Sequence, residues 1–278
     1  MKLAAGYIVF DGLETLEASI KSIRKSVDIV IVSYQMKSWR GNLASPKLVP
    51  TLQELKVKGL IDEIMEFTKF QSSSLITPDE VIRAKTYECL KRQSVLAKAL
   101  SMGATHYLSM DADEFYVKEQ FDWAKEEIVR NRLQATAVKY INYVTPELHQ
   151  GYSRFQVPFI YQIGPRSMHH LRQLIFGDID PTRGLIDDSY SRSRIFERDK
   201  ITMHHMELVR EDILAKYENA NRYFRNRREL PILVEDIKQA KLSDNLVYRK
   251  IHFGDTPTGN NTPKKLTRVI NRFGLVTD

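Results

Sequence analysis

Short apolar runs alternate with stretches of helical periodicity over the first 115 residues, and this alternation constrains the fold more than any other feature. Three runs, Tyr7–Phe10, Val27–Val32 and Ile61–Phe67, predict strands, and Leu13–Ser22 and Leu48–Lys58 between them predict helices. The β-branched character of the second run is typical of a central strand buried on both faces. Strands that alternate with helices form parallel sheets. We therefore predict an α/β fold with a mostly parallel, doubly wound central sheet flanked by helices.

Two carboxylates follow the next strand directly. A helix is predicted over residues 79–101, then a strand over His106–Met110, which runs into Asp111-Ala112-Asp113-Glu114-Phe115. In open α/β sheets, ligands bind where strands end at the carboxyl edge. Oxygen ligands at that edge, completed by water and phosphate, suit Mg²⁺ or Mn²⁺. This segment predicts a divalent-cation site, and the alternative is an acidic turn that caps the following helix.

The second half of the chain predicts further strands and then a helical C-terminus. A helix over Trp123–Leu133 precedes strands over Ala135–Val144 and Phe155–Ile163, long loops over 164–193, and a strand over Lys200–Met203 that leads into His204-His205. An amphipathic helix is predicted over Glu211–Arg228, with a second helix to Leu242 and a Gly/Pro/Asn/Thr-rich stretch over 254–263. We predict a catalytic domain over residues 1–210 and a basic helical extension over 211–278.

Composition narrows the class of protein. The chain has 278 residues and a single cysteine, Cys89, which excludes an intramolecular disulfide framework and favours a reducing compartment. No apolar run approaches the roughly 20 residues of a membrane-spanning helix. The expectation is a cytoplasmic enzyme.

Positive charge is concentrated in the last third of the chain. Residues 1–189 carry 24 basic and 23 acidic side chains, whereas residues 190–278 carry 18 and 12. Arginines and lysines alternate there with tyrosine and phenylalanine. Such a surface could neutralise a phosphate backbone while its aromatic rings stack on unpaired bases. The alternative is a solvated basic helix face.

Two segments together resemble a known enzyme family. Residues 91–115, which run from Lys91-Arg92-Gln93-Ser94 through Gly103 and the strand to Asp111-Ala112-Asp113-Glu114-Phe115, resemble the core of GT-A-fold glycosyltransferases, and most closely their family-2-like members. The stretch Ile201-Thr202-Met203-His204-His205-Met206-Glu207-Leu208 is similar to the family's second metal element, a histidine at a strand end before a helix. The chain departs from the family in lacking the Q-x-x-R-W pattern of processive synthases.

The resemblance implies a nucleotide-sugar donor, most naturally a UDP-sugar, and Mn²⁺ or Mg²⁺. In the metal site it implies, Asp113 is a direct ligand and Asp111 reaches the ribose or the waters of the metal. His205 is the third ligand, because Met206-Glu207 then opens the following helix as in relatives. His204 and His252 are the alternative histidines. Asp11, at the end of the first strand, occupies the place where GT-A folds contact the base or ribose.

Further residues are predicted to serve the diphosphate and the acceptor. Candidates for binding phosphate oxygens are Lys85 and Arg92, on the predicted helix that packs behind the strand before Asp111. Arg194, beside Arg192 and before the strand that leads into His204-His205, is a further candidate. An inverting enzyme also needs a carboxylate that takes the proton of the acceptor hydroxyl. Asp187 and Asp188 are the first candidates for this base, followed by Glu207.

The acceptor is predicted from the basic C-terminus. The leading hypothesis is a glycosyltransferase that acts on a hydroxymethylated base in DNA and resembles the DNA-modifying enzymes of bacteriophages, with DNA as partner. One alternative is a lipopolysaccharide or capsule glycan transferase held by charge at the anionic inner membrane surface. Another is a non-catalytic GT-A-like module that binds nucleic acid. A nucleotidyltransferase is disfavoured, because Phe10-Asp11-Gly12-Leu13-Glu14 is not a Gly-rich phosphate loop. The sugar, the stereochemistry and the oligomeric state stay open.

Overall fold

A ten-stranded mixed sheet with helices on both faces forms the centre of the molecule. The computed structural model describes residues 1–38, 41–68, 80–171, 175–177, 179–219, 235, 247–249, 263–265, 267–268 and 271–275. The strand order is β3-β2-β1-β4-β7-β6-β11-β5, with β10 beside β6 and β14 beside β7.

The elements follow in chain order. In the first half they are β1 (Leu3–Val9), α1 (Leu13–Ile23), β2 (Ile29–Tyr34), α2 (Leu48–Val57), β3 (Glu63–Glu66), α3 (Glu80–Ser101), β4 (His106–Asp111), β5 (Glu114–Phe115) and α4 (Lys118–Asn131). In the second half they are β6 (Ala135–Thr145), β7 (Leu148–Gln162), β8 (Met168–His169), β9 (Leu185–Ile186), β10 (Ser193–Ile195), β11 (Thr202–His205), α5 (Ile213–Asn219), β12 (Val247–Arg249), β13 (Pro263–Lys265) and β14 (Thr267–Arg268).

The first four sheet strands are parallel, which aligns their carboxyl ends. Ile8 pairs with Asp111 of β4 and with Ser33 of β2, and Tyr34 pairs in turn with Glu66 of β3. The segments that follow β1 and β4 therefore leave the sheet at the same edge. The predicted α/β class is confirmed, with a central sheet that is flanked by helices and parallel over these four strands.

Side chains of β1 alternate between two apolar layers because successive residues of a strand point to opposite faces. Leu3, Ala5, Tyr7 and Val9 belong to the core that α1, α2 and α4 cover, whereas Ala4 belongs to the core that α3 covers. The apolar stripe that predicted α1 is part of this layer. Helix α3 lies behind β1 and β4 and carries side chains to the ends of both strands.

The sheet is mixed beyond β4. Strand β7 runs antiparallel to both β4 and β6, while β10 and β11 are parallel to β6. The region from 164 to 193, predicted as long loops, contains the two-stranded ribbon of β8 and β9 and the start of β10. Short strands of two or three residues leave too brief a pattern to be detected in the sequence.

Some C-terminal predictions fall outside the described residues. Of the helix predicted over 211–228, the structure describes α5, and most of the second helix, the stretch 254–262 and His252 lie outside the described part. Of the described residues after 219, β12 and β13 form a separate two-stranded sheet, whereas residues 267–268 and 273–275 contact the main sheet. Strand β14 pairs with β7, and Phe273 contacts Phe115 with ring centroids 4.9 Å apart. The domain division at residue 210 stays a prediction. Within the described helices, none is long and apolar enough to span a membrane.

Candidate active site at the carboxyl edge of the sheet

A tight turn after β4 brings three acidic side chains together. The Asp111 amide donates to Glu114 Oε2 at 3.0 Å, and β5 then pairs antiparallel with β11, which sets His205 opposite Glu114. The Met206 amide donates to the Asp113 carbonyl at 2.7 Å. The turn 111–114 is therefore fixed to the end of β11, and the two segments singled out in the sequence meet.

Asp111 is held by two arginines from different parts of the chain. Arg92 of α3 donates to Asp111 Oδ1 at 3.0 Å and to Ser109 Oγ at 2.6 Å, and its side chain is 0% exposed. Arg183, from the loop between β8 and β9, forms an ion pair with Asp111 Oδ2. Burial alone would raise the pKa of Asp111, but the two guanidinium groups outweigh it and lower that pKa.

Arg183 connects several acids in one buried network. Its Nη1 lies 2.5 Å from Glu114 Oε1, and its Nε lies 3.8 Å from Asp180. Burial and the neighbouring Asp111 raise the pKa of Glu114 despite this contact. Because Arg183 and Glu114 are 6% and 2% exposed, the pair is shielded from water. This network fixes the turn from behind.

Asp113 contacts a different set of cations. Its Oδ2 accepts from Arg210 Nη2 at 2.6 Å and from Lys216 Nζ at 2.9 Å. Both cations belong to the segment after β11, and Lys216 also donates to the Glu207 carbonyl at 2.7 Å. Burial would raise the pKa of Asp113, but Lys216, Arg210 and His205 outweigh it and hold that pKa well below its usual value.

Arg210 also links Asp113 to the end of β1. Its Nη1 donates to Asp11 Oδ1 at 2.8 Å. Gly12 makes room for this guanidinium, because a Cβ on Gly12 would lie 2.7 Å from Arg210 Nη1. The backbone at Gly12 has a φ of 76°, which glycine adopts without steric cost. Asp11 and Asp113 therefore belong to one cluster at the edge.

His205 is oriented toward Asp113 as a metal-binding histidine would be. Its Nε2 lies 3.6 Å from Asp113 Oδ1, and its Nδ1 lies 2.9 Å from Asn142 Oδ1. If Nδ1 carries the proton that Asn142 accepts, the Nε2 lone pair faces Asp113, which is the orientation that an outer-shell partner gives to a ligating histidine. His204 points the other way, with its Nδ1 2.8 Å from the Tyr143 hydroxyl.

Asp113 Oδ1 and His205 Nε2 fit a divalent cation as a pair of ligands, although the described residues contain no group of three or more histidine, cysteine or acidic side chains arranged to hold a metal ion. Both oxygens of Asp111 face arginines, so the geometry does not bring Asp111 to the pair as a third ligand. A cation here would take its remaining ligands from water and phosphate, as Mg²⁺ commonly does.

A buried lysine lies beneath the same edge. Lys91 of α3 donates to the Val9 carbonyl at 3.0 Å, and Gln35 Oε1 lies 3.4 Å from its Nζ. Burial lowers the pKa of Lys91 to about 7. The sequence analysis did not identify Lys91 as a site residue. Its position directly before Arg92, on the helix that packs behind β4, could have indicated that it lies near the site.

The residues predicted to bind phosphate have other positions in the structure. Arg92 is fully buried and donates to Asp111, so it supports that carboxylate. Arg194 pairs with Glu127 of α4 and lies beside Thr136, near the start of β6. Six residue steps separate Thr136 from Asn142, which pairs with His205, and they span about 20 Å of strand. Lys85 lies on α3, and the structure gives it no contact with the acidic turn.

The two predicted bases also lie at the opposite edge. Asp187 accepts from Ser167 Oγ at 2.8 Å and from Ser189 Oγ at 2.7 Å. Its neighbour Tyr190 donates to the Gln162 carbonyl, and Gln162 pairs with His106 at the start of β4. The length of β4, about 16 Å, separates this loop from Asp111. The structure therefore does not bring Asp187 or Asp188 to the acidic turn.

Arg183, Arg210 and Lys216 were not predicted from the sequence. Arg210 follows His205 by five residues, so the strand-end reasoning that selected His205 could have been extended to it. Arg183 lies in an irregular loop 72 residues after Asp111, and nothing in its local sequence indicates the contact.

Comparisons with known proteins reveal remote structural likenesses. No protein-family model and no curated protein sequence matches the chain. Among solved structures, S. aureus TarS 1-349 in complex with UDP-GlcNAc is 11% identical, with a TM-score of 0.36, over 51% of this chain and 35% of that one. GalNAc-T7 with UDP, GalNAc and Mn²⁺ is 14% identical, with a TM-score of 0.34, over 51% of this chain and 24% of that one. The chain thus spans about a third or less of these proteins, and likenesses at this level carry no argument about function.

Proposed function

We propose that the protein is a glycosyltransferase that moves a sugar from a nucleoside-diphosphate sugar, most naturally a UDP-sugar, to an acceptor hydroxyl. The observation that carries this proposal is the cluster of Asp11, Asp113, His205, Arg210 and Lys216 at the carboxyl edge. The cluster combines oxygen and nitrogen ligands for a cation with positive groups for a diphosphate. That edge is where open α/β sheets bind nucleotides.

We further propose Mn²⁺ or Mg²⁺ as the cofactor, with Asp113 and His205 as its protein ligands. Asp111 would meet the ribose or the waters of the metal, because its side chain is 31% exposed even though its oxygens face arginines. When bound, such a cation supplies Lewis-acid stabilisation of the leaving diphosphate. Arg210 contacts one oxygen of Asp11, and the Asp11 side chain is 40% exposed, which suits a contact with the base or the ribose.

The chain's own groups would stabilise the charge that develops during transfer. The glycosidic C1–O bond breaks and its electron pair stays on the β-phosphate oxygen, while the acceptor oxygen forms the new bond to C1 and gives up its proton. Arg210 and Lys216 are positioned to neutralise the departing diphosphate. Arg92 and Arg183 hold the turn and contribute by positioning.

Glu207 is the base that we propose for an inverting reaction. Its backbone carbonyl accepts from Lys216, which places residue 207 beside the cluster, whereas Asp187 and Asp188 lie at the other edge. Glu207→Gln should lower kcat with little change in the KM for the donor and remove the acidic limb of the pH–rate profile. An unchanged profile would argue against Glu207, and Asp188→Asn serves as the control.

The proposed acceptor is a hydroxymethylated base in DNA. The charge excess of the last third supports it, since residues 190–278 carry 18 basic and 12 acidic side chains. The packing of the C-terminus adds support, because β14 joins β7 at Leu148 and His149 and Phe273 lies 5.2 Å, centroid to centroid, from His204. Part of this basic region therefore returns to the edge that carries His205.

The test is release of nucleoside diphosphate from UDP-sugars with Mn²⁺, compared between hydroxymethylated and unmodified DNA of the same sequence. We expect metal-dependent release that rises only with the hydroxymethylated DNA. Release that ignores DNA would keep the glycosyltransferase and move the acceptor to envelope glycans. Absence of release from any nucleotide sugar, with DNA binding retained, would favour a non-catalytic nucleic-acid-binding module.

A further inference from the structure

Two cations compete for one oxygen of Asp113. Arg210 and Lys216 both donate to the same oxygen, Oδ2, at 2.6 and 2.9 Å, while His205 approaches the other oxygen. Arg210 also pairs with Asp11, so the two cations face two carboxylates. An incoming anion would therefore compete with Asp113 for the same two cations.

Both cations could contact an additional anion. The Nε of Arg210 is buried and has no hydrogen-bond acceptor among the described residues. Buried donors without an acceptor are rare in folded proteins, and such a group often marks the place of a missing ligand. Lys216 lies at the border with solvent, because its side chain is 18% exposed while that of Asp113 is 4% exposed. An anion could therefore reach the ammonium group without unfolding the turn.

The attachment of the two side chains would let them change partners. Both come from the segment after β11, where α5 has seven residues. Arg210 already bridges two carboxylates, Asp11 and Asp113, through separate nitrogens. Losing the contact with Asp113 would leave its contact with Asp11 in place. By contrast, the arginines on Asp111 are anchored to other buried groups.

We propose that Arg210 and Lys216 are a transferable cation pair, which neutralises Asp113 in the free protein and moves to the diphosphate of the donor when the nucleotide sugar binds. This inference rests on the proposed function, since it names the residues that receive the leaving group at the same site. A divalent cation on Asp113 would repel both groups and favour their transfer to the nearest anion. The carboxylate and the diphosphate thus compete for one pair of cations.

This competition predicts that the loss of one site residue, Asp113, strengthens phosphate binding. Asp113→Asn removes the competing carboxylate and frees the pair, so metal-free protein should bind inorganic pyrophosphate about tenfold more tightly than the wild type, a typical size for coupling between two binding events. The same substitution should remove the increase in UDP affinity that Mn²⁺ produces. Lys216→Met in the Asp113→Asn background should abolish most of the gain.

The measurement is titration calorimetry of the whole chain with pyrophosphate, UDP and uridine, in EDTA and in Mn²⁺. Uridine has no phosphate, so its affinity should be the same in all variants. Asp122→Asn on α4 is the matched control, because it also removes a carboxylate that pairs with a lysine, Lys118, but far from the edge. Thermal unfolding of each variant verifies that it is folded.

Two results would contradict the proposal that Arg210 and Lys216 are a transferable cation pair. One is metal-free pyrophosphate affinity that is unchanged or weaker in Asp113→Asn, and the other is a gain that survives Lys216→Met. Failure of the proposed function is distinguishable, since it would appear as wild-type protein that releases no nucleoside diphosphate from any sugar donor. The pyrophosphate titrations would still report on the cation pair in that case.

Discussion

Asp111 and Asp113 are two residues apart, yet their surroundings differ in kind. The partners of Asp111, Arg92 and Arg183, are almost completely buried and bind further groups behind the sheet. Of the partners of Asp113, Arg210 is as buried as Arg183, with 6% of its side chain exposed, whereas Lys216 is 18% exposed and belongs to the short helix α5. Under the proposed function, Asp111 helps to build the site, while the contact of Asp113 with Lys216 is available for exchange with a ligand.

The first way to test this comparison is to remove the buried cation. Arg183→Met leaves Asp111 and Glu114 without their shared partner in a shielded place, so the free energy of unfolding should fall by about 3–5 kcal/mol. Chemical denaturation measures it. Arg194→Met, which removes an exposed pair with Glu127, should change it by less than about 1 kcal/mol. Equal effects would contradict the structural role of Asp111.

The second prediction concerns the other carboxylate. Asp113→Ala should lower the rate of transfer by at least about a hundredfold, because it removes a ligand of the metal that stabilises the leaving group. Because Asp113 and Arg210 are also nearly buried, the free energy of unfolding should fall by about 3 kcal/mol as well. Steady-state kinetics and thermal unfolding measure the two quantities. Asp187→Asn at the opposite edge should retain activity within about twofold. Normal turnover by Asp113→Ala would remove the metal-site argument.

The third prediction concerns how the buried side chain of Lys91 makes stability depend on pH. Burial lowers the pKa of Lys91 to about 7, whereas the side chain has its ordinary value of 10.5 in the unfolded chain. Between these values the unfolded chain binds more protons, so the contribution of Lys91 to the free energy of unfolding should rise with pH from about 7 to about 10.5. Comparison with Lys91→Met isolates it. A difference between the two proteins that stays constant across this range would mean that Lys91 titrates near its ordinary pKa.

The smallest expected effect concerns the contact of Arg210 with Gly12. Gly12→Ala places a methyl group against Arg210 in a left-handed backbone conformation, so it should cost about 1–2 kcal/mol of stability and lower activity several-fold. Gly59→Ala is the matched control, because Gly59 has a similar φ of 71° but nothing lies within 4 Å of its added methyl group. It should lose similar stability and keep full activity. Equal activity of Gly12→Ala and Gly59→Ala would contradict this prediction and show that activity does not depend on the position of Arg210 beside residue 12.

Much of the parallel half of the fold could be predicted because its determinants are local. Helix α3, predicted over 79–101, spans Glu80–Ser101, and the strand before Asp111 differs by one residue at its end. These predictions needed only periodicity and the order of elements. The meeting of Asp113 with His205 was predicted instead from the resemblance of the two segments to a known enzyme family.

The partners of the two carboxylates could not be predicted in the same way. Arg183 reaches Asp111 across 72 residues from an irregular loop, and Lys216 reaches Asp113 across 103. Such contacts depend on how loops return to the sheet, which local sequence does not encode. For the same reason Arg92 and Arg194 were identified as basic residues near the motif, but the side of the sheet and the depth of burial remained unknown.

The return of the C-terminus to the sheet has a consequence for how the protein is made. Phe273 packs on Phe115 and His204, and Leu275 joins the small core that contains Met206. The parallel strands and the acidic turn can leave the ribosome and pair early. The packing behind the histidines is complete only when Phe273 and Leu275 have emerged, so the site acquires its final support after the strands that carry its ligands have been synthesised.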